Sequence, residues 1–164
     1  MDSASRFQAE RREQIDGQSK DREFRQISND WLKASIEYKY SYHYEWLGRP
    51  IIQFPQDILA VQEIIWEVKP DLIVETGIAH GGSLILSASV LELNASCGGP
   101  SEAEVLGIDI DIRRHNRTAI EKHPLSKRIS MIEGSSIEAE VVDYSDFDTT
   151  LDVIAHWKYS AEDG

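Results

Sequence analysis

Residues 72–83 read LIVETGIAHGGS: a short apolar run with an acidic residue behind it (Glu75), then a glycine turn (Gly77, Gly81, Gly82) that opens a helix. A turn of this kind lets backbone approach a ligand closely. Three ligand classes compete for it. A phosphate-binding loop needs Gly, four residues, Gly, Lys and Ser/Thr; Gly77 and Gly82 have the spacing, but Ser83 stands where the lysine must reach the phosphates. A dinucleotide fingerprint needs Gly-x-Gly-x-x-Gly, and Ala79 replaces its second glycine, obstructing a pyrophosphate. The third class is S-adenosylmethionine, whose ammonium and sulfonium groups favour a carboxylate over a phosphate cradle. Glu75 supplies that carboxylate, emerging at the crevice, so it is expected to be the most sensitive position for cofactor binding and nearly silent for stability. Gly77 and Gly81 let the backbone pass the methionine and ribose portion, and His80 and Ser83 complete the contacts of the turn. His80 could instead act as a base for an acceptor hydroxyl, but a solvent-exposed turn histidine is the commoner case.

Two further blocks repeat the arrangement. GIDID (107–111) offers Asp109 at the end of an apolar run, where a carboxylate accepts hydrogen bonds from both ribose hydroxyls. IEGSS (132–136) puts Gly134, Ser135 and Ser136 after the next run, with Ser135 near an adenine edge. In open parallel sheets ligands gather outside the carboxyl ends of the strands, so the three blocks fall on one crevice. Ordinary loop chemistry also uses Gly, Asp and Ser at such turns. Asp111 is either a second ribose contact or a helix cap. No general base is identifiable, and His43, His115, His123 and His156 have no metal-ligand spacing.

The elements that must position these blocks follow from periodicity. Leu72–Val74, Val105–Ile108 and Arg128–Ile132 read as buried parallel strands. Helices are predicted over Ser83–Leu93 and His115–Lys122, and an earlier one, capped by Asp57, carries Ile58, Val61, Ile64, Ile65 and Val68 on one face. Ile137–Val142 reads as helical and Leu151–Ile154 as a fourth strand. This alternation predicts the α/β class: a Rossmann-like, doubly wound, mostly parallel sheet with flanking helices. Upstream, Pro50 and Pro55 break regular structure, and the aromatic cluster from Tyr38 to Trp46 reads either as acceptor-pocket lining or as packing over the sheet edge.

The blocks YKYSYHYEWLGRPIIQFPQD, KPDLIVETGIAHGGSLILSAS, VLGIDIDIR and ISMIEGSS resemble the cephalosporin hydroxylase and rhamnosyl O-methyltransferase family, over about residues 27–136. The resemblance implies an S-adenosylmethionine-dependent O-methyltransferase acting on a hydroxyl of a sugar, glycolipid or related natural product, and hence a place in lipid biosynthesis among other pathways. It implies a Mg2+ site in some members, held by carboxylates of an Asp-Ser-x-His type segment and a later acidic pair. Neither segment is readable here, so the fold is expected to be incomplete at its C-terminal end, with the metal ligands absent.

Composition narrows the partners. Seventeen Lys+Arg against 29 Asp+Glu give a net charge of −12, and residues 132–164 hold nine acidic residues against Lys158 alone. Nucleic-acid binding is therefore not expected. Cys97 is the one cysteine, excluding an internal disulfide and favouring a cytoplasmic setting. No apolar run approaches the roughly 20 residues that cross a bilayer. Residues 1–26 carry twelve charged side chains and read as an arm, solvated and mobile when isolated; 27–164 read as the methyltransferase domain. The rival to an enzyme with a small-molecule acceptor is a shortened, non-catalytic cofactor-binding or structural fragment. Its unpaired sheet edge would join another chain, including a copy of itself as a homo-oligomer.

Overall fold

The computed structural model describes residues 2–137 and the backbone of 153–157. The chain divides into two compact units, Met1–Tyr40 and Ser41–Gly164. The first holds helices α1 (Ser3–Lys20) and α2 (Arg22–Glu37), so the stretch after Ile27 groups with the charged arm at the level of compact units. Each helix opens on an aspartate. Asp2 accepts from the Ser5 amide at 2.9 Å and Asp21 from the Phe24 amide at 3.0 Å, satisfying first-turn donors. No residue of α1 is buried, as its charge density dictates.

The second unit begins with a feature the sequence reading missed. Strands β1 (Tyr44–Trp46) and β2 (Arg49–Ile51) form an antiparallel hairpin in which Trp46 faces Arg49. Its two-residue turn, Leu47-Gly48, has φ of +46° and +81°, the backbone of a type I′ turn. Pro50, expected to break structure, lies inside β2 opposite Glu45; a two-stranded ribbon tolerates a residue without an N–H. Helix α3 (Pro55–Val68) also starts differently from the expectation. Phe54 is its N-cap and Pro55 its first residue, while Asp57 caps nothing and sits in the first turn, where its charge suits the helix dipole.

The main sheet is parallel: β3 (Leu72–Thr76), β4 (Glu104–Asp109), β5 (Ile129–Glu133) and β6 (Val153–Trp157), in the order β5-β4-β3-β6. Helices α4 (Gly82–Ser96) and α5 (Arg114–Glu121) connect β3 to β4 and β4 to β5. This is the expected α/β architecture of a parallel sheet with flanking helices. Helix α4 has apolar residues on every side, which is why it is buried rather than amphipathic; Leu84, Ile85, Leu86 and Leu91 are almost wholly inaccessible. Together with Ile73, Val105 and Ile120 most of these make the larger core on one face of the sheet, while Leu72, Leu106 and Ile108 make a smaller one. Of the fourth strand expected over Leu151–Ile154, Val153 and Ile154 lie in β6, and residues 151–152 are outside the described residues. Of the helix expected over Ile137–Val142, residues 138–142 lie outside the described residues. No helix among the described residues is long and apolar enough to cross a membrane.

Candidate functional site

Sheet order places the site. The chain builds β3, β4 and β5 outward in one direction and then returns to lay β6 on the other side of β3. The carboxyl end of β3 is thus at the point where the winding reverses, the usual place for a ligand crevice in such sheets. Hydrogen bonds beyond the strand ends draw the three turns together: the Gly77 amide donates to the Ile108 carbonyl at 2.8 Å, and the Gly134 amide to the Asp109 carbonyl at 2.8 Å.

Glu75 does not emerge at this crevice. It is 1% exposed, and the Ser83 hydroxyl, itself buried, donates to its carboxylate. Strand β3 runs two residues further than the apolar run, to Thr76. The two-residue alternation therefore keeps Glu75 on the face of Ile73, beneath α4. Ser83 is the second residue of α4, so the carboxylate lies at that helix's N-terminus, where negative charge is favourable.

Gly81 and Gly82 are required by the protein's own packing. Gly81 is the N-cap of α4 with φ +83°, and a Cβ there would lie 2.4 Å from Ile120 Cδ1. A Cβ on Gly82 would lie 2.3 Å from the Pro50 carbonyl oxygen, so the hairpin docks directly on the helix start. Gly77 takes φ +83° at the head of the loop. Between them Ala79, a non-glycine residue, sits at φ +47°, a conformation that costs about 1–2 kcal/mol.

Three side chains from three elements hold that strained loop. The Asp109 carboxylate, at the end of β4, accepts from the Ile78 amide at 2.6 Å and the Ala79 amide at 3.3 Å through Oδ2, and from the Asp111 amide at 3.2 Å through Oδ1. From α5, Asn116 donates Nδ2–H to the Ala79 carbonyl at 2.8 Å. From β2, Arg49 donates to the His80 carbonyl through Nε at 3.0 Å and Nη2 at 2.5 Å, and Nη2 also reaches Asn116 Oδ1 at 3.2 Å. Arg49 and Asn116 were invisible to sequence reasoning. A buried asparagine inside the charged stretch RRHNR and an arginine before a proline carry no recognisable signal.

His80 is half-buried and Ser135 is half-buried just past β5. Asp111 is exposed and caps no helix: Arg113 is the N-cap of α5, and the Asp111–Arg113 pair is loose at 3.9 Å. Glu133 stands beside Asp109 in the sheet register and pairs with Arg117 at 3.1 Å. Tyr44 and Trp46 pack against the larger core, and Trp46 Nε1 donates to Ser89 Oγ at 3.0 Å, so this part of the aromatic cluster is packing. Among the described residues no group of three His, Cys, Asp or Glu side chains converges to hold a metal ion.

Known proteins share this fold. Residues 38–147, about two thirds of the chain, match the family model "Rhamnosyl O-methyltransferase/CmcI". A CmcI structure described with SAH is 23% identical, with a TM-score of 0.51 over 72% of this chain and 54% of that one. Another, described with Mg-SAM, is 24% identical, with a TM-score of 0.54 over 74% of this chain and 48% of that one. These likenesses show the fold, and the chain spans about half the length of the CmcI chains it matches. No curated protein matches. With two thirds of its length under the family model, and a parallel sheet of the same fold, the chain belongs to the rhamnosyl O-methyltransferase/CmcI family.

Proposed function

We propose that the crevice outside β3, β4 and β5 binds S-adenosylmethionine and that the protein transfers its methyl group to a hydroxyl oxygen of a small acceptor, a sugar, glycolipid or related natural product. The observation that carries this reading is the Glu75–Ser83 pair. In phosphate-binding folds the helix after a glycine turn presents its positive N-terminus to the ligand's anion. Here that terminus already faces an internal carboxylate, which lowers its attraction for a pyrophosphate and suits a cationic ligand. The neighbouring strand ends carry Asp109 and Glu133, both acidic. Family membership and the CmcI structures described with SAH and Mg-SAM support the same choice.

The residues fit such a ligand in distinct ways. Gly77 and His80 would flank its methionine end, Asp109 would accept from ribose hydroxyls with the lone pairs its backbone partners leave, and Ser135 would meet the adenine edge. Glu75, Ser83 and Gly81 act beneath the loop, setting its charge and shape. When bound, S-adenosylmethionine supplies an electrophilic methyl group, so the protein's task is to align an acceptor oxygen and exclude water. Mg2+ remains part of the proposal only as a family property.

Calorimetric titration tests this reading, with S-adenosylmethionine, S-adenosylhomocysteine and NADH run in parallel. The first two are expected to bind and NADH is not. Binding of NADH alone, or of none of the three, refutes the proposal.

A further inference from the structure

We propose that Arg49 and Asn116 are positioning residues of the cofactor loop, holding 77–81 in its binding conformation before any ligand arrives. The inference rests on the cofactor reading above but uses residues that reading does not. A loop with Ala79 at φ +47° and glycines on both sides is prone to flip its peptide planes. Two of those planes are locked. Asn116 holds the carbonyl of Ala79, and the Arg49 fork holds the carbonyl of His80 with two donors. Asn116 also accepts from Arg49, which fixes its amide orientation, so the two side chains act as one clamp. Asp109 holds the amide side of the same loop, at Ile78 and Ala79. Ala79 therefore has both its backbone polar groups tied, one to β4 and one to α5. A loop fixed in advance spares the ligand the ordering cost that a flexible one imposes on binding. Arg49 extends the clamp to the β1–β2 hairpin, which makes the hairpin part of the cofactor site without contacting the ligand.

Four variants test this: Arg49→Ala, Arg49→Lys, Asn116→Ala and Asn116→Asp. Asn116→Asp keeps the shape and the Arg49 partner but loses the donor to Ala79. Amide hydrogen exchange over residues 77–82 reports the loop itself, and calorimetry with S-adenosylhomocysteine reports its consequence. Arg49→Ala, Asn116→Ala and Asn116→Asp are expected to speed exchange in this segment and weaken S-adenosylhomocysteine, each roughly tenfold. Arg49→Lys, which keeps one donor for His80 but not the fork, is expected to recover part of both losses. Native exchange rates in the Arg49→Ala and Asn116→Ala proteins overturn the clamp. Fast exchange with unchanged affinity overturns its role in binding. Equal losses in Arg49→Lys and Arg49→Ala, with a matching fall in thermal midpoint, mark a merely structural role and also overturn the proposal. If the native chain fails to bind S-adenosylhomocysteine, the cofactor reading falls, and with it the binding role, while exchange alone still decides whether the clamp exists.

Discussion

The Glu75 carboxylate lies beneath the first turn of α4, where it accepts the hydroxyl hydrogen of Ser83. Both side chains are buried, so this is an internal polar pair at a helix N-terminus. Stability is therefore expected to depend on it, contrary to what residue order alone implies. Glu75→Ala removes the acceptor of a buried hydroxyl, at a cost of about 1–3 kcal/mol, and is expected to lower the thermal midpoint by roughly 2–4 °C per kcal/mol. Glu75→Gln keeps the shape and loses the charge, so it should fall between the native protein and Glu75→Ala. Differential scanning calorimetry without ligand checks the order, and a midpoint unchanged in Glu75→Ala contradicts it.

Asp109 and Asp111 are two residues apart in sequence and differ sharply in environment. Asp109 binds three backbone amides, two of them in the glycine loop, whereas Asp111 is exposed with one loose ion pair. Asp109→Ala is expected to weaken S-adenosylmethionine by about tenfold or more, since charge-assisted hydrogen bonds contribute about 1.5–3 kcal/mol, and to lower stability as well. Asp111→Ala should leave both within experimental scatter. Paired titrations and melts decide it, and comparable losses at the two positions would reassign the end of β4.

The parallel sheet was legible because its central strands are buried on both faces and so read as unbroken apolar runs, at 72–74 and 105–106. The direction of Glu75 was not. The apolar run stops at Val74, but hydrogen bonding carries β3 on to Thr76, and the pleat then turns Glu75 inward. The hairpin escaped for a different reason. Its turn uses Leu47 at positive φ where Asn or Asp would announce such a turn, and its second strand contains a proline. In the site, residue type pointed to Asp109 and the glycines. The side chains that brace the loop from elsewhere, Arg49 and Asn116, are brought to it only by tertiary packing, some 31 and 37 residues away in sequence.

Gly81 and Gly82 are adjacent but should differ in how well they tolerate a methyl group. At Gly81 a Cβ meets the Ile120 side chain, at Cδ1 2.4 Å and Cγ1 2.5 Å, which is side chain and not backbone, and the left-handed conformation adds about 1–2 kcal/mol. At Gly82 the Cβ meets the Pro50 carbonyl at 2.3 Å and the Ile51 Cα at 2.8 Å, and backbone cannot yield without undocking the hairpin. Gly82→Ala is therefore expected to be the more destabilising in urea titration. Ile120→Ala, which removes both the Cδ1 and the Cγ1 atoms that the new methyl meets, should cost less in the Gly81→Ala background than in the native chain, a recovery absent from Gly82→Ala. Recovery in both, or in neither, contradicts the assignment of the clashes.

Glu92 should contribute to the loss of stability in acid. Arg128, nine-tenths buried, donates Nε–H to Glu92 at 2.5 Å and a second N–H to the Ala103 carbonyl at 2.7 Å, while Lys127 donates to Glu92 at 3.1 Å. The Arg128 hydrogen bond first, and the Lys127 one second, hold the Glu92 carboxyl below its ordinary value of 4.5. A carboxyl whose pKa is lower folded than unfolded binds its proton more readily in the unfolded chain, so protonation favours unfolding. The stabilisation is thus fully present above 4.5 and is lost as pH falls through the depressed folded value. Glu92→Gln removes that titration. Urea midpoints followed from neutral to acid pH are expected to be higher for the native protein at neutral pH and to converge with those of Glu92→Gln in acid, as the native carboxylate takes up its proton. Parallel curves, with a constant gap at every pH, would show that Glu92 holds Arg128 by shape and not by charge.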